Sequence, residues 1–161
     1  MQFKDIVGQQ HIKNKLIQTV KNGRISHTQL FLGAEGVGAL PLAVAYAQYI
    51  NCPNATDEDS CGTCASCVKF TKLVHPDLHF TFPTIAIEKK KLSNEFIAEW
   101  REAFTSNPYL SELEWVLSLD SEGKKQGNIT AEECRDIIRK LGLKPYEAKY
   151  KTVIIWLPEY M

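Results

Sequence analysis

A chain of 161 residues can build one ordinary hydrophobic core and is too short for two large domains. Its 19 basic side chains (Lys and Arg) balance 19 acidic ones, so the chain as a whole lacks the positive charge of a free-standing DNA-binding protein. A composition of 44% hydrophobic and 24% charged residues is that of a globular protein and excludes disordered, collagen-like and coiled-coil chains.

The N-terminal part of the chain predicts a helix, a strand and a second helix. Apolar residues at near-helical spacing predict a helix over 4–22. The apolar run 28–33, bounded by polar residues and a glycine, is typical of a buried strand. The second helix has Pro41 in its first turn and is apolar on nearly every side, as expected of a helix packed on a sheet. This order is typical of the opening of a nucleotide-binding α/β unit.

The middle of the chain predicts two helices and a strand, and it leaves one segment open. A short helix over 68–73 and a strand over 78–82 follow a cysteine-rich segment. A longer helix is predicted over 93–106, with Ser93 as its N-cap and an apolar stripe on one face. The apolar segment 115–119 fits either a strand or the end of another helix.

The C-terminal part predicts a loop, a helix and a last strand. Residues 120–128 are rich in turn formers and predict a surface loop. Thr130 and Glu133 have the spacing of a capping box, which starts a helix that Gly142 ends. The apolar run 151–157 predicts a strand.

Three predicted strands joined by helices favour a parallel α/β sheet, because crossover connections place successive strands parallel. The chain ends four residues after the last predicted strand, so no following helix covers it. We therefore expect a sheet that is incomplete through truncation.

The glycine loop after the first predicted strand has the spacing of a phosphate-binding loop without its working side chains. That pattern, G-x-x-x-x-G-K-[ST], supplies a lysine for the phosphates and a hydroxyl for magnesium. Here Gly33, Gly36 and Gly38 are present, but Ala39 stands at the lysine position and Leu40 at the hydroxyl position. The sequence predicts a loop that keeps its fold and binds neither ATP nor magnesium, with ATP binding and hydrolysis as the alternative.

The end of the last strand supports the same interpretation. Hydrolases of this class follow such a strand with Asp-Glu, where one carboxylate holds magnesium and the other orients water. In this chain the strand leads into Pro158-Glu159, so a proline occupies the position of the magnesium-linked aspartate. Both halves of the predicted magnesium site are degenerate, and we expect no ATP hydrolysis.

The cysteines predict a metal site. Four of the five lie in the spacing Cys52-x8-Cys61-x2-Cys64-x2-Cys67, in a chain with no signal peptide, which favours a metal over disulfides. Thiolates this close can surround one tetrahedral ion, and sulfur ligands favour zinc, with an iron–sulfur cluster as the alternative. Four sulfurs leave no position for water, so the zinc would be structural. Cys134 is interpreted as a small buried hydrophobe.

Nothing else in the sequence predicts catalysis or a membrane. No cysteine outside the metal cluster has an activating neighbour, and no Ser-His-Asp arrangement is present, so we expect a protein that is not an enzyme. No apolar run approaches the roughly 18 residues of a membrane span. We therefore expect a cytoplasmic location and no membrane partner.

Several motifs together resemble the N-terminal AAA+ module of bacterial clamp-loader subunits of DNA polymerase III. They are the opening FKDIVGQ at 3–9, GRISH at 23–27 leading to LFLG, the cysteine spacing, HPD at 75–77 and KPYEAKYK at 144–151. The resemblance implies one truncated P-loop NTPase-like domain over 1–161 with a zinc module inserted at 52–67. Residues 83–127 have no counterpart in it and are interpreted as an insertion of unknown role.

The resemblance also implies a function. A clamp loader is a pentameric, ATP-driven complex that places the sliding clamp on primed DNA, so the implied partners are gamma/tau and delta subunits, the clamp and primed DNA. Ala39, Leu40 and Pro158 favour the non-catalytic stator of the family, whose arginine for a neighbouring ATP site would lie beyond Met161. The alternatives are an ATP-binding motor subunit of the same complex and a zinc-stapled interaction domain outside replication.

Overall fold

The computed structural model describes residues 1–87, 90–120 and 125–161. The chain divides into two compact units. The cysteine unit comprises Met1–Leu78 and Pro145–Tyr150, and the aromatic unit comprises His79–Lys144 and Lys151–Met161. Among the described residues, no helix combines the length and the apolar character that crossing a membrane requires.

The described part of the cysteine unit is helical. A 3-10 helix, Phe3–Asp5, is followed by α1 (Gln10–Lys21), α2 (Ala39–Ile50) and α3 (Ala65–Thr71). Helix α2 is buried along most of its length, which confirms the prediction of a helix apolar on nearly every side. The core gathers apolar and aromatic side chains from the N-terminal segment, α1 and α2: Phe3, Ile6, Ile17, Leu42, Ala45, Tyr46 and Tyr49.

The helix predicted over 4–22 is divided in the structure. Gly8 and Gln9 both adopt left-handed backbone conformations, with φ of 64° and 56°. A right-handed helix cannot continue through such residues. The chain therefore forms the separate 3-10 helix first and begins α1 at Gln10.

The predicted buried strand over 28–33 is wrong. None of these residues is in a strand, and Leu30 and Leu32 are 76% and 89% exposed. Phe31 is half-buried, with its ring centroid 6.4 Å from that of Tyr46, and the half-buried Gln29 donates to the Tyr46 hydroxyl at 2.9 Å. The apolar run alone does not make a strand, because a strand also needs a neighbour for its backbone groups, and no described strand pairs with this segment.

A buried carboxylate fastens the segment Pro145–Tyr150 to the rest of the cysteine unit. Asp77 is fully buried, and its carboxylate accepts the backbone N–H groups of Tyr146, Glu147 and Ala148 at 2.6, 2.8 and 2.8 Å. Burial by itself would raise the pKa of Asp77, but these N–H donors hold that pKa below its ordinary value. No local sequence pattern indicates this role of Asp77, because its partners lie 69 to 71 residues further along the chain.

The aromatic unit contains helices and a small parallel sheet. Strand β1 (Leu78–Thr81), whose first residue closes the cysteine unit, pairs with β2 (Thr152–Ile155), so the strands predicted over 78–82 and 151–157 are confirmed. The described residues between them form the 3-10 helix Ser93–Phe96 and then α4 (Ile97–Ser106), α5 (Glu112–Leu119) and α6 (Ala131–Leu141). A further 3-10 helix, Pro158–Tyr160, follows β2.

Stacked aromatic rings form the core of this unit. The Trp100 ring lies parallel to Phe82 and to Phe104, with centroid distances of 5.0 and 5.2 Å and interplanar angles of 3° and 4°. Trp115 meets Phe82 edge to face at 5.2 Å and donates its indole N–H to the Pro83 carbonyl at 2.7 Å. Such contacts add to the free energy that burial alone provides.

The predicted N-cap role of Ser93 is wrong. Ser93 lies inside a 3-10 helix, and its hydroxyl donates to the Phe82 carbonyl and accepts the Phe82 N–H, both at 3.1 Å. Thr130 does cap α6 by accepting the Glu133 N–H at 3.3 Å, as predicted. However, the Glu133 carboxylate turns inward and accepts the Ser93 N–H at 2.9 Å, so the predicted capping box is only half formed.

Segment 115–119, whose sequence fits either a strand or a helix, is helical and belongs to α5. Ser111 and Glu114 form a capping box at its start, and their spacing in the sequence is the signal that favours a helix here. The loop predicted over 120–128 includes 121–124, which lie outside the described residues.

Candidate metal centre and phosphate-loop region

The four clustered cysteines converge in the cysteine unit. Their sulfur atoms all lie within 4.8 Å of one another. Cys52 follows the end of α2, Cys61 lies in the connecting loop, Cys64 is the N-cap of α3, and Cys67 lies in its first turn. Cys52 and Cys67 are buried, whereas Cys61 and Cys64 are half-buried. Cys134, outside this group, is half-buried in α6 rather than buried as predicted.

Backbone N–H groups point at the sulfurs of the cluster. The Cys61 N–H donates to Cys52 Sγ at 3.3 Å, the Cys64 N–H donates to Cys61 Sγ at 3.4 Å, and the Cys67 N–H donates to Cys64 Sγ at 3.4 Å. These donors stabilise negative charge on sulfur and orient the ligands around a metal.

The thiols differ in acidity. Hydrogen bonds from the backbone N–H groups of Cys64 and Thr63 lower the pKa of Cys61 to about 6. Burial raises the pKa of Cys52 and of Cys67. The lowered pKa favours the thiolate of Cys61, whereas the two buried thiols would lose their protons on binding a metal, so binding would release protons.

This donor set fits a tetrahedral metal. A zinc–sulfur bond of about 2.3 Å places neighbouring sulfurs about 3.8 Å apart, and Cys61 Sγ lies 3.9 Å from Cys67 Sγ. The four cysteines could hold a metal ion such as zinc, and such a site has no position left for a substrate or for water.

The glycine loop before α2 owes its shape to its glycines. Gly36 and Gly38 adopt left-handed conformations with φ of 77° and 86°, which side-chain-bearing residues seldom reach. A Cβ on Gly33 would lie 2.6 Å from a methyl group of Val37. The loop is therefore a tight turn that ends at Gly38, the N-cap of α2.

The two positions after Gly38 lie in the first turn of α2. Ala39 is half-buried and Leu40 is buried, so the residue at the lysine position offers only a methyl group and the residue at the hydroxyl position packs inward. Glu35 lies exposed in the loop. In the aromatic unit, Pro158 and Glu159 begin the 3-10 helix after β2, and both are exposed.

A cleft of about 190 Å³ adjoins the glycine loop. None of the described residues that line it carries a positive charge. Its walls combine two glutamine side chains, Gln9 and Gln29, with a majority of apolar residues, among them Ile12, Leu16, Phe31, Leu32, Val37 and Leu42. Such walls suit an apolar group better than a triphosphate.

Comparisons with known proteins identify related sequences. A family model described as DNA polymerase III, delta subunit, matches residues 8–161. The DNA polymerase III subunit tau/gamma of Haemophilus influenzae is 38% identical over 65 residues, which are 40% of this chain and 9% of that relative. The tau subunit of Bacillus subtilis is 36% identical over 69 residues, 43% of this chain and 12% of the relative. The tau subunit of Escherichia coli is 38% identical over 65 residues, which are 40% of this chain and 10% of that relative.

Helices with a small parallel sheet and a glycine loop before α2 are consistent with an AAA+-like domain of the clamp-loader class. The chain belongs to the DNA polymerase III, delta subunit, family, because that family's model matches it over 8–161. It spans about a tenth of the length of the curated relatives it matches.

Proposed function

We propose that the chain is a non-catalytic subunit of the DNA polymerase III clamp loader, of the delta-prime or stator type. In this role it supports an ATP-driven complex in the cytoplasm that loads the sliding clamp onto primed DNA. Its partners are the gamma/tau and delta subunits and, through the complex, the clamp and DNA. Family membership supports the place in replication, and it disfavours an interaction domain outside replication.

The observation that carries the stator assignment is the pair Ala39 and Leu40. A triphosphate bound at a helix N-terminus also needs a cation to balance its charge, and Ala39 offers none. Leu40 is buried and has no oxygen for magnesium. The adjoining cleft adds no positive side chain among its described residues.

The same proposal assigns structural zinc to Cys52, Cys61, Cys64 and Cys67. The convergence of the four sulfurs and the backbone N–H groups that point at them support this assignment. Zinc suits a four-thiolate set without redox chemistry, whereas an iron–sulfur cluster would colour the purified protein. Elemental analysis of protein purified without added metal tests it, with one zinc per chain expected.

A binding experiment with labelled ATP and magnesium tests the stator assignment. The chain is expected to show no saturable binding up to millimolar ATP. Ala39→Lys restores the missing cation and is expected to gain weak binding, while Ala39→Glu, the matched control of opposite charge, is expected to gain none. Micromolar binding by the unaltered chain that Ala39→Glu abolishes would contradict the proposal.

That contrary result would favour the second candidate, an ATP-binding motor subunit of the same complex. The observation in its favour is the 36 to 38% identity to proteins named tau or tau/gamma. Mixing the chain with purified gamma/tau and delta subunits tests membership in the complex separately, because both candidates predict co-elution and an unrelated domain predicts none.

A further inference from the structure

The loop between Cys52 and Cys61 is bonded to the N-terminal segment of the chain. The Asp59 carboxylate accepts the backbone N–H groups of Phe3 at 3.1 Å and Lys4 at 3.0 Å. These N–H groups begin the 3-10 helix and have no partner within it. A carboxylate from the cysteine loop therefore caps a helix that lies 55 residues earlier in the chain.

Asp59 is itself held in place by a tight turn. The Thr56 N–H donates to the Asp59 carbonyl at 2.8 Å, and the Thr56 hydroxyl accepts the Asp59 N–H at 3.0 Å. The Ser60 N–H donates to the Asp59 carboxylate at 2.7 Å. Cys61 follows directly, so the turn that aims this carboxylate is joined to a metal ligand.

Gln2 provides a second connection to the same loop. Its amide N–H donates to the Ser60 carbonyl. A Cβ on Gly62 would lie 2.6 Å from the Gln2 Oε1 atom, so the glycine between the ligands leaves the space that Gln2 occupies. The N-terminal segment and the cysteine loop are therefore fitted to each other.

The N-terminal segment in turn reaches the core and the glycine loop. Phe3 and Ile6 are 2% and 3% exposed, and the Phe3 ring centroid lies 5.5 Å from that of Tyr49 on α2. Further along, the Gln9 amide N–H donates to the Val37 carbonyl at 3.2 Å. Val37 directly precedes Gly38, so a series of contacts within the cysteine unit leads from the cysteine cluster to the glycine loop.

We propose that the four-cysteine centre anchors the N-terminal segment Gln2–Gln9 through Asp59 and Ser60, and through that segment steadies the glycine loop Gly33–Gly38. A metal ion that closes the loop between Cys52 and Cys61 restricts the loop's conformations and keeps Asp59 aimed at its two N–H donors. This inference rests on the metal site proposed above. It gives the centre a role beyond holding its own module together.

Hydrogen exchange measured on the zinc-loaded chain tests the inference. Asp59→Ala removes the anchor without removing a metal ligand, and Glu58→Ala removes the neighbouring exposed carboxylate as the matched control. Asp59→Ala is expected to speed exchange in peptides covering 2–9 and 33–38 about tenfold or more, which corresponds to losing one to two hydrogen bonds to a charged group. Glu58→Ala is expected to leave exchange unchanged, and α2 is expected to keep its protection in both variants.

The outcomes separate this inference from the metal assignment. Zinc content is measured on the same samples, and absence of zinc in the unaltered chain would overturn both. Full zinc with unchanged exchange over 2–9 in Asp59→Ala would overturn the anchor, and faster exchange over 2–9 alone would overturn its extension to the glycine loop. Gln2→Ala, which leaves the bonds within the cysteine loop intact, is a second variant and is expected to speed exchange over 2–9 by a smaller factor.

Discussion

The cysteine unit and the aromatic unit stabilise their cores by different means. In the cysteine unit, a modest apolar cluster is accompanied by buried polar groups, with Lys13, Gln48, Asn51 and Asp77 each at most 6% exposed. In the aromatic unit, stacked rings around Trp100 dominate the core, although Ser93 and Glu133 are also buried there and are hydrogen-bonded to each other. A small core rarely supplies enough stability by apolar burial alone, and a metal is one common remedy. The four converging cysteines give the cysteine unit the means for this second solution.

This difference between the two cores predicts which substitutions destabilise each unit most. Polar anchors and metal ligands act through direction and charge, so loss of one partner leaves the others unsatisfied. Stacked rings stabilise through their buried area and their shape. The free energy lost on substitution therefore depends on the volume that the substitution removes. Tryptophan fluorescence reports on the aromatic unit, because Trp100, Trp115 and Trp156 all belong to it.

Metal removal is expected to have the largest effect, and it acts on the cysteine unit. Apparent binding free energies of structural zinc in small sites are about 10 to 16 kcal/mol, which matches or exceeds the stability of a whole small domain. A strong chelator is therefore expected to abolish hydrogen-exchange protection in α2 and α3. Cys64→Ser is also expected to lower hydrogen-exchange protection in these helices. Cys134→Ser, outside the cluster, is the control and should keep one zinc ion per chain.

Trp100→Ala is the matching change in the aromatic unit. Removing a fully buried indole between two parallel rings leaves a cavity, and the expected loss is about 3 to 5 kcal/mol in the free energy of unfolding, measured by urea titration. The zinc content should stay unchanged. A loss below about 1 kcal/mol would show that the stack is not the main support of this core.

Changing each tryptophan to phenylalanine separates volume from hydrogen bonding. The Trp100 indole N–H has no hydrogen-bond partner among the described residues, whereas the Trp115 N–H is bonded to the Pro83 carbonyl. Trp115→Phe leaves that carbonyl unpaired and is therefore expected to be more destabilising than Trp100→Phe by about 1 to 3 kcal/mol. Equal losses in urea titrations would show that ring volume alone matters.

Asp77→Asn tests the polar anchoring of the cysteine unit. An amide cannot accept all three N–H groups, so the free energy of unfolding is expected to fall by about 3 kcal/mol. Asp57→Asn is the control, because Asp57 is exposed and pairs with Lys21 at the surface, so little change is expected.

The same carboxylate makes a prediction about pH. The pKa of Asp77 is lower in the folded chain than its ordinary value, so its contribution to stability is complete above the unfolded-state pKa, about 3.9. That contribution disappears as the pH falls through the lower, folded-state pKa. The stability difference between the unaltered chain and Asp77→Asn should therefore be constant near neutral pH and shrink below about pH 4. A difference that persists at low pH would show that the anchor acts through shape rather than charge.

Sequence patterns predicted the features whose partners are close in the chain. The four cysteines lie within one short segment, so their spacing alone indicated convergence, and the Thr130 cap was predicted from a neighbouring residue. Patterns failed where distant residues decide the structure. Ser93 looked like an N-cap but bonds to Phe82, and the strand over 28–33 required a neighbouring strand that local hydrophobicity could not supply.

The smallest expected effect compares two glycines in left-handed conformations in the cysteine unit. Gly62 and Gly36 have φ of 73° and 77°, so alanine at either position should cost about 1 to 2 kcal/mol of backbone strain. A Cβ at Gly36 meets nothing within 4 Å, whereas one at Gly62 meets the Gln2 side chain and displaces its hydrogen bond to Ser60.

Gly62→Ala is therefore expected to be more destabilising than Gly36→Ala by about 1 kcal/mol in thermal or urea unfolding of the zinc-loaded chain. Because the excess comes from Gln2, it should vanish in a Gln2→Ala background, which a double-mutant cycle measures directly. An excess that survives in that background would place the cost in the cysteine loop itself. Its disappearance would instead show that the loop and the start of the chain are packed as one structure.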